Sequence, residues 1–93
     1  EIHVAEYGFP SSEELGGNVV AALGDRNAVL LRNHGVVGVG DSLEEALAVC
    51  EMVERAAHIY VIAHALGGPN LLPNEVVEAE TAIYRMRRRA KEV

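Results

Sequence analysis

The sequence has no tryptophan, one cysteine and four aromatic residues in all. A single cysteine excludes an internal disulfide, a two-cysteine zinc site and CxxC redox chemistry. Tyr7, Phe9, Tyr60 and Tyr84 are too few for a base-stacking surface. No apolar run approaches the roughly 18 residues that a membrane span needs. The first residues are charged or polar and no apolar stretch follows them, so no secretory signal is expected and a cytoplasmic location is. The chain opens on Glu1 rather than Met, which reads as a fragment or a processed product.

Basic residues are scarce through most of the chain. Residues 1–84 carry Arg26, Arg32 and Arg55 against thirteen acidic side chains, so this body repels nucleic acid. The last nine residues reverse the sign, with Arg85, Arg87, Arg88, Arg89 and Lys91 against Glu92. Basic side chains at a helix C-terminus complement the helix dipole. The same tail could instead dock on the acidic body or on a neighbouring subunit.

What is present is ordinary globular material. Of 93 residues, 49% are apolar and 24% charged, which suits a single small domain over 1–93 and argues against disorder. Ile2 to Ala5 has the length of an incoming strand. Tyr7 to Pro10 reads as a connector. Ser11 with Glu14 three residues on predicts a capped helix start. Leu15, Val19, Ala22 and Leu23 recur at helical spacing, and Gly24 is placed to stop that helix. Ala28 to Leu31 is a continuous apolar run, expected as a strand buried on both faces. Val36 to Val39 is a second strand, close enough to form a hairpin or one bent strand.

A long helix is predicted over 42–66, with Asp41 or Ser42 as its cap and Glu44 or Glu45 answering it. Leu43, Leu47, Cys50, Glu54, Ala57, Val61 and Ala65 fall in one stripe at 100° per residue. From Ala56 onward nearly every side chain is apolar, which predicts burial on more than one side and hence a partner chain or further protein. A last helix is expected from near Pro73, with Val76, Ala79, Ile83 and Met86 as its apolar stripe. Strand, helix, strand, strand, long helix, helix is the order of an α/β layered fold.

His34 is the first candidate for chemistry. It lies between two buried strands, and Gly35 beside it leaves room near the imidazole. No HxH, HExxH or neighbouring carboxylate accompanies it, so a turn residue is the competing reading. Glu54 is the second, a carboxylate in an apolar stripe that must be paired or wet. It could orient a metal-bound histidine from outside the ligand set, or simply form a salt bridge. His58 lies one turn beyond Glu54, where an intrahelical hydrogen bond is the plainer role. His64 suits the end of the long helix, His3 lies in a segment expected to fray, and Cys50 reads as a buried apolar thiol. Ser11 and Ser42 are caps, and no phosphate-binding glycine loop is present.

The run Asn27-Ala28-Val29-Leu30-Leu31-Arg32-Asn33-His34-Gly35-Val36-Val37-Gly38-Val39-Gly40, with Ser42-Leu43-Glu44-Glu45-Ala46 after it, resembles the C-terminal half of the class II aldolase and adducin head family. The resemblance implies the C-terminal part of an α/β/α layered fold. It also implies a zinc-dependent lyase that cleaves a sugar phosphate by retro-aldol chemistry, of the L-fuculose-phosphate aldolase type. In such enzymes three histidines hold the zinc, two from an upstream HxH and one from a His-Gly strand junction, which maps onto His34. The base and the phosphate-binding loop are upstream too, so no catalytic residue maps onto these 93 residues. Homo-oligomers, commonly tetramers, are the implied assembly, with no membrane or nucleic-acid partner. Sugar-phosphate epimerases and dehydratases of the same family, a non-catalytic adducin-like interaction module, and an inactive structural fragment are the competing functions.

Overall fold

The computed structural model describes residues 1–92, with side chains through Ala90. The side chains of Lys91 and Glu92 in the basic tail, and all of Val93, lie outside the described residues. The elements are β1 (His3–Ala5), α1 (Glu13–Leu23), β2 (Ala28–Leu31), β3 (Gly35–Gly38), α2 (Leu43–Ala65) and α3 (Asn74–Glu92), an α/β order as expected. They fall into two compact units that divide within α2, one of residues 1–62 and one from residue 63 onward.

The first unit is built on a three-stranded sheet in the order β1-β2-β3. β1 runs parallel to β2, with His3 opposite Val29 and Ala5 opposite Leu31. Parallel neighbours need a crossover, and α1 supplies it while lying against both strands. β2 and β3 form an antiparallel hairpin, pairing Leu31 with Gly35 and Ala28 with Gly38. The second strand thus begins and ends one residue earlier than the apolar run suggests. Val39 nonetheless stays tied to the sheet, its N–H donating to the Asn27 carbonyl at 2.8 Å. His3, expected to fray, is a paired β1 residue.

The start of α1 corrects one expectation. Ser12, not Ser11, is the cap, its side-chain oxygen accepting from the Leu15 N–H at 3.1 Å. Ser11 is unavailable because it sits in a turn led by Pro10, closed by the Ser12 N–H donating to the Phe9 carbonyl at 3.1 Å. Its φ of +64° is the left-handed position such a turn requires. At the other end Gly24 is the C-cap, as expected.

The core is small: among the described residues Ala5, Ala28, Val29 and Val53 are the buried apolar side chains. β2 is buried at Ala28 and Val29, but Leu30 stays 36% exposed, contrary to a strand covered on both faces. Strand register explains the difference. Leu30 shares a sheet face with its partners Val4 and Val36, and all three are exposed. α2 reaches only the Ala28–Gly38 end of that face, where a β-carbon on Gly38 would meet Cys50, Ala46 and Val49.

α2 opens as predicted, the Ser42 hydroxyl accepting from the Glu45 N–H at 3.1 Å while the Glu45 carboxylate accepts from the Asp41 N–H. Its covered face shares only Cys50 with the stripe inferred from periodicity. Val53 is buried and Ala46, Val49 and Cys50 are half-buried, whereas Leu43 is 90% exposed. The covered face is turned from the expected stripe by roughly 75° at 100° per residue.

In the second unit, α2 closes on the Gly67 and Gly68 signal. The Gly68 N–H donates to the Ala63 carbonyl at 2.8 Å and the Gly67 N–H to the His64 carbonyl at 3.3 Å, the paired bonds of a Schellman end. Gly67, at φ +119°, takes the backbone conformation this end demands. Pro73 sits just before α3, its carbonyl accepting from the Val77 N–H at 3.2 Å. The expected α3 stripe of Val76, Ile83 and Met86 is exposed within this chain.

Candidate functional site

His34 is the last residue of the turn joining β2 to β3, and its N–H donates to the Leu31 carbonyl at 3.0 Å. Asn33 precedes it at φ +66°, a conformation that asparagine tolerates better than most residues. The turn lies at the carboxyl end of β2. Since β1 runs parallel, it also lies beside the carboxyl end of β1, and the Arg32 N–H donates to the Ala5 carbonyl at 3.4 Å. Ligands of open α/β sheets bind outside such strand ends.

Two residues from the β1–α1 connector meet the imidazole. The Tyr7 ring stacks on it, with centroids 5.4 Å apart and planes 8° from parallel. That separation is an offset stack, the favourable arrangement for two π faces. The His34 Nε2 lies 3.0 Å from the Gly8 carbonyl oxygen. A carbonyl only accepts, so Nε2 is the donor and the neutral ring keeps its lone pair on Nδ1. The side chain of His34 remains exposed, and a β-carbon on Gly35 would meet nothing within 4 Å, which agrees with the room inferred beside the ring.

The connector is itself held. Asn18 on α1 donates through its amide to the Glu6 carbonyl at 3.2 Å and the Tyr7 carbonyl at 3.4 Å. Gly8 is buried so close to α1 that a β-carbon there would lie 2.7 Å from the Leu15 Cα. Tyr7, Gly8 and Asn18 were not legible as site residues. The glycine between Tyr7 and Phe9, just before a helix cap, was the only local signal.

Among the described residues of the first unit, no other sequence candidate joins His34. Glu54 is exposed on α2, and no hydrogen bond or ion pair joins it to His34 among the described residues. His58 is exposed on the next turn of α2. His64 lies in the last turn of α2, and His3 stands 3.6 Å from the Glu1 carboxylate at the sheet's first strand. Cys50 is half-buried against Gly38. Among the described residues no three His, Cys, Asp or Glu side chains converge where a metal could sit. A catalytic zinc takes three protein ligands. The residues present therefore do not make a metal centre by themselves; His34 offers one donor.

A pair of parallel strands joined by a helical crossover places the chain among the α/β layered folds. The sequence profile of the class II aldolase and adducin N-terminal domain matches residues 1–61. The chain belongs to that family. It is 32% identical over 77 residues to the 5-deoxy-D-ribulose 1-phosphate aldolase of Bacillus thuringiensis serovar kurstaki, a match covering 83% of this chain and 36% of that protein. It is 32% identical over 69 residues to the decarboxylase NovR of Streptomyces niveus, covering 74% of this chain and 26% of that protein. Among solved structures, an L-fuculose 1-phosphate aldolase is similar with a TM-score of 0.81 and 38% identity, over 88% of this chain and 39% of that one. The chain thus spans well under half the length of the proteins it matches.

Proposed function

We propose that these residues are part of a class II aldolase acting on a sugar phosphate, cleaving it to dihydroxyacetone phosphate and an aldehyde. The likeness to the L-fuculose 1-phosphate aldolase, at 38% identity over 88% of this chain, carries the reading. In this reading His34 is the metal ligand contributed by this portion, at the carboxyl ends of the parallel strands. Zinc would act as a Lewis acid on the substrate's oxygens. The remaining ligands, the base and the phosphate-binding loop would belong to sequence outside these 93 residues. Glu54, exposed on α2, would support the site only indirectly.

The test is metal analysis of the full gene product. About one zinc per chain is expected, lost on His34→Ala and retained in His58→Ala and His64→Ala. Full zinc occupancy in the His34→Ala protein would overturn the assignment. Decarboxylation is the second reaction to assay, because the match to NovR is also at 32% identity. Release of carbon dioxide without aldol cleavage would move the protein to that branch.

We also propose that the protein associates with copies of itself. Ile59, Val61 and Ile62 on α2 are 57%, 68% and 47% exposed, apolar area spread around the helix that water disfavours.

A further inference from the structure

His34 is an exposed side chain in a turn, and an unrestrained imidazole there would sample several rotamers. It is restrained from two directions by adjacent residues. The Gly8 carbonyl accepts at 3.0 Å from Nε2, whose N–H points out along the ring edge. The Tyr7 ring lies nearly parallel to it, 8° off, and so blocks tilting. Neither contact involves the Tyr7 hydroxyl. Behind them, Asn18 donates to the Tyr7 carbonyl and Leu15 packs against Gly8, which ties the connector to α1.

We propose that Tyr7 is a positioning residue for His34. Its aromatic face, working with the Gly8 carbonyl, holds the imidazole in one orientation and keeps Nδ1 as the nitrogen with a free lone pair. Tyr7 touches neither substrate nor metal in this role; it reduces the entropy lost when His34 engages a ligand. The functional weight of the restraint rests on His34 being the working histidine of the proposed aldolase site. The restraint itself does not depend on that reading.

The experiment follows the ring protons of His34 by NMR in the metal-free protein, using His58 as an exposed reference. In the wild type, nuclear Overhauser contacts between the Tyr7 and His34 rings are expected, together with an upfield shift of the His34 ring protons from the tyrosine ring current. Tyr7→Phe should preserve the shift, because stacking needs the ring and not the hydroxyl. Tyr7→Leu should move the signals to the position of an exposed histidine while the β1–β3 amide signals keep their dispersion. Absence of the ring-to-ring contacts in the wild type would overturn the proposal even if Tyr7→Leu failed to fold. Unchanged His34 shifts in a folded Tyr7→Leu protein would overturn it as well.

Metal retention by the full gene product separates the two readings. A several-fold loss in Tyr7→Leu, with Tyr7→Phe unaffected, supports positioning. Loss in His34→Ala but full retention in Tyr7→Leu would leave the metal reading standing and refute the role of Tyr7. Retention in His34→Ala would refute the metal reading, and the ring-proton shifts would still decide the role of Tyr7.

Discussion

Gly38 on β3 lies directly against Cys50 on α2: a β-carbon on the glycine would stand 2.6 Å from the cysteine sulfur. It would also stand 3.0 Å from the Ala46 carbonyl oxygen and 3.3 Å from a Val49 methyl. The long helix is seated on the hairpin at a place where only hydrogen fits. Gly38→Ala should therefore destabilise the protein by about 1–3 kcal/mol, the usual range for overpacking. Adding Cys50→Ala should recover part of that loss, since the helix carbonyl contact remains. Urea midpoints of the two variants would check both statements; a neutral Gly38→Ala would mean the helix can lift freely from the strand.

Gly8 makes the corresponding approach at the other end of the unit. The atoms its β-carbon would meet are mainly Leu15 backbone, which cannot rotate away. Gly8→Ala should push the connector off α1 and carry its carbonyl away from His34. The expected result is a loss of about 1–3 kcal/mol. Weakening of the Tyr7–His34 ring contacts in the NMR spectrum should accompany it.

The helix caps give a discriminating pair. Ser12→Ala removes the acceptor for the Leu15 N–H and should cost about 1 kcal/mol. Ser11→Ala touches no cap bond and should change stability by less than about 0.5 kcal/mol. Equal losses in thermal melts of the two variants would argue that both serines cap in exchange.

Asn33 holds the left-handed position in the turn that presents His34. Asn33→Gly should be tolerated. Asn33→Val should cost about 1–2 kcal/mol, because a β-branched residue is strained at positive φ. Chemical denaturation measures the difference, and a Val variant as stable as the Gly variant would show that the turn takes another conformation.

Association can be read by sedimentation. The 10.0 kDa chain should sediment as more than a monomer at high concentration, and Val61→Glu should shift it toward the monomer. A concentration-independent monomer in the wild type would remove the proposed self-association.

The elements themselves were legible in the residues. The apolar run Ala28–Leu31, the Ser42 cap answered by Glu45, and the glycines after α2 each act on backbone within a few residues. Local chemistry of this kind is written in sequence order. The place of His34 between two strands was legible for the same reason. The cap of α1 lies one residue later than the Ser11–Glu14 spacing predicts, because Pro10 imposes a turn on Ser11.

What tertiary structure alone decided is which faces are covered and what meets His34. Periodicity orders the side chains of α2 around its axis but does not say where the sheet will touch it; the narrow seat at Gly38 selects the face of Cys50 and Val53. Leu30 stays open because α2 covers only one end of its sheet face. Gly8 and His34 are 26 residues apart, and they meet only because the α1 crossover sets β1 parallel to β2 and brings both carboxyl ends to the same edge. Contacts that depend on closing such a loop are fixed by the packing of whole elements, and no short stretch of the chain encodes them.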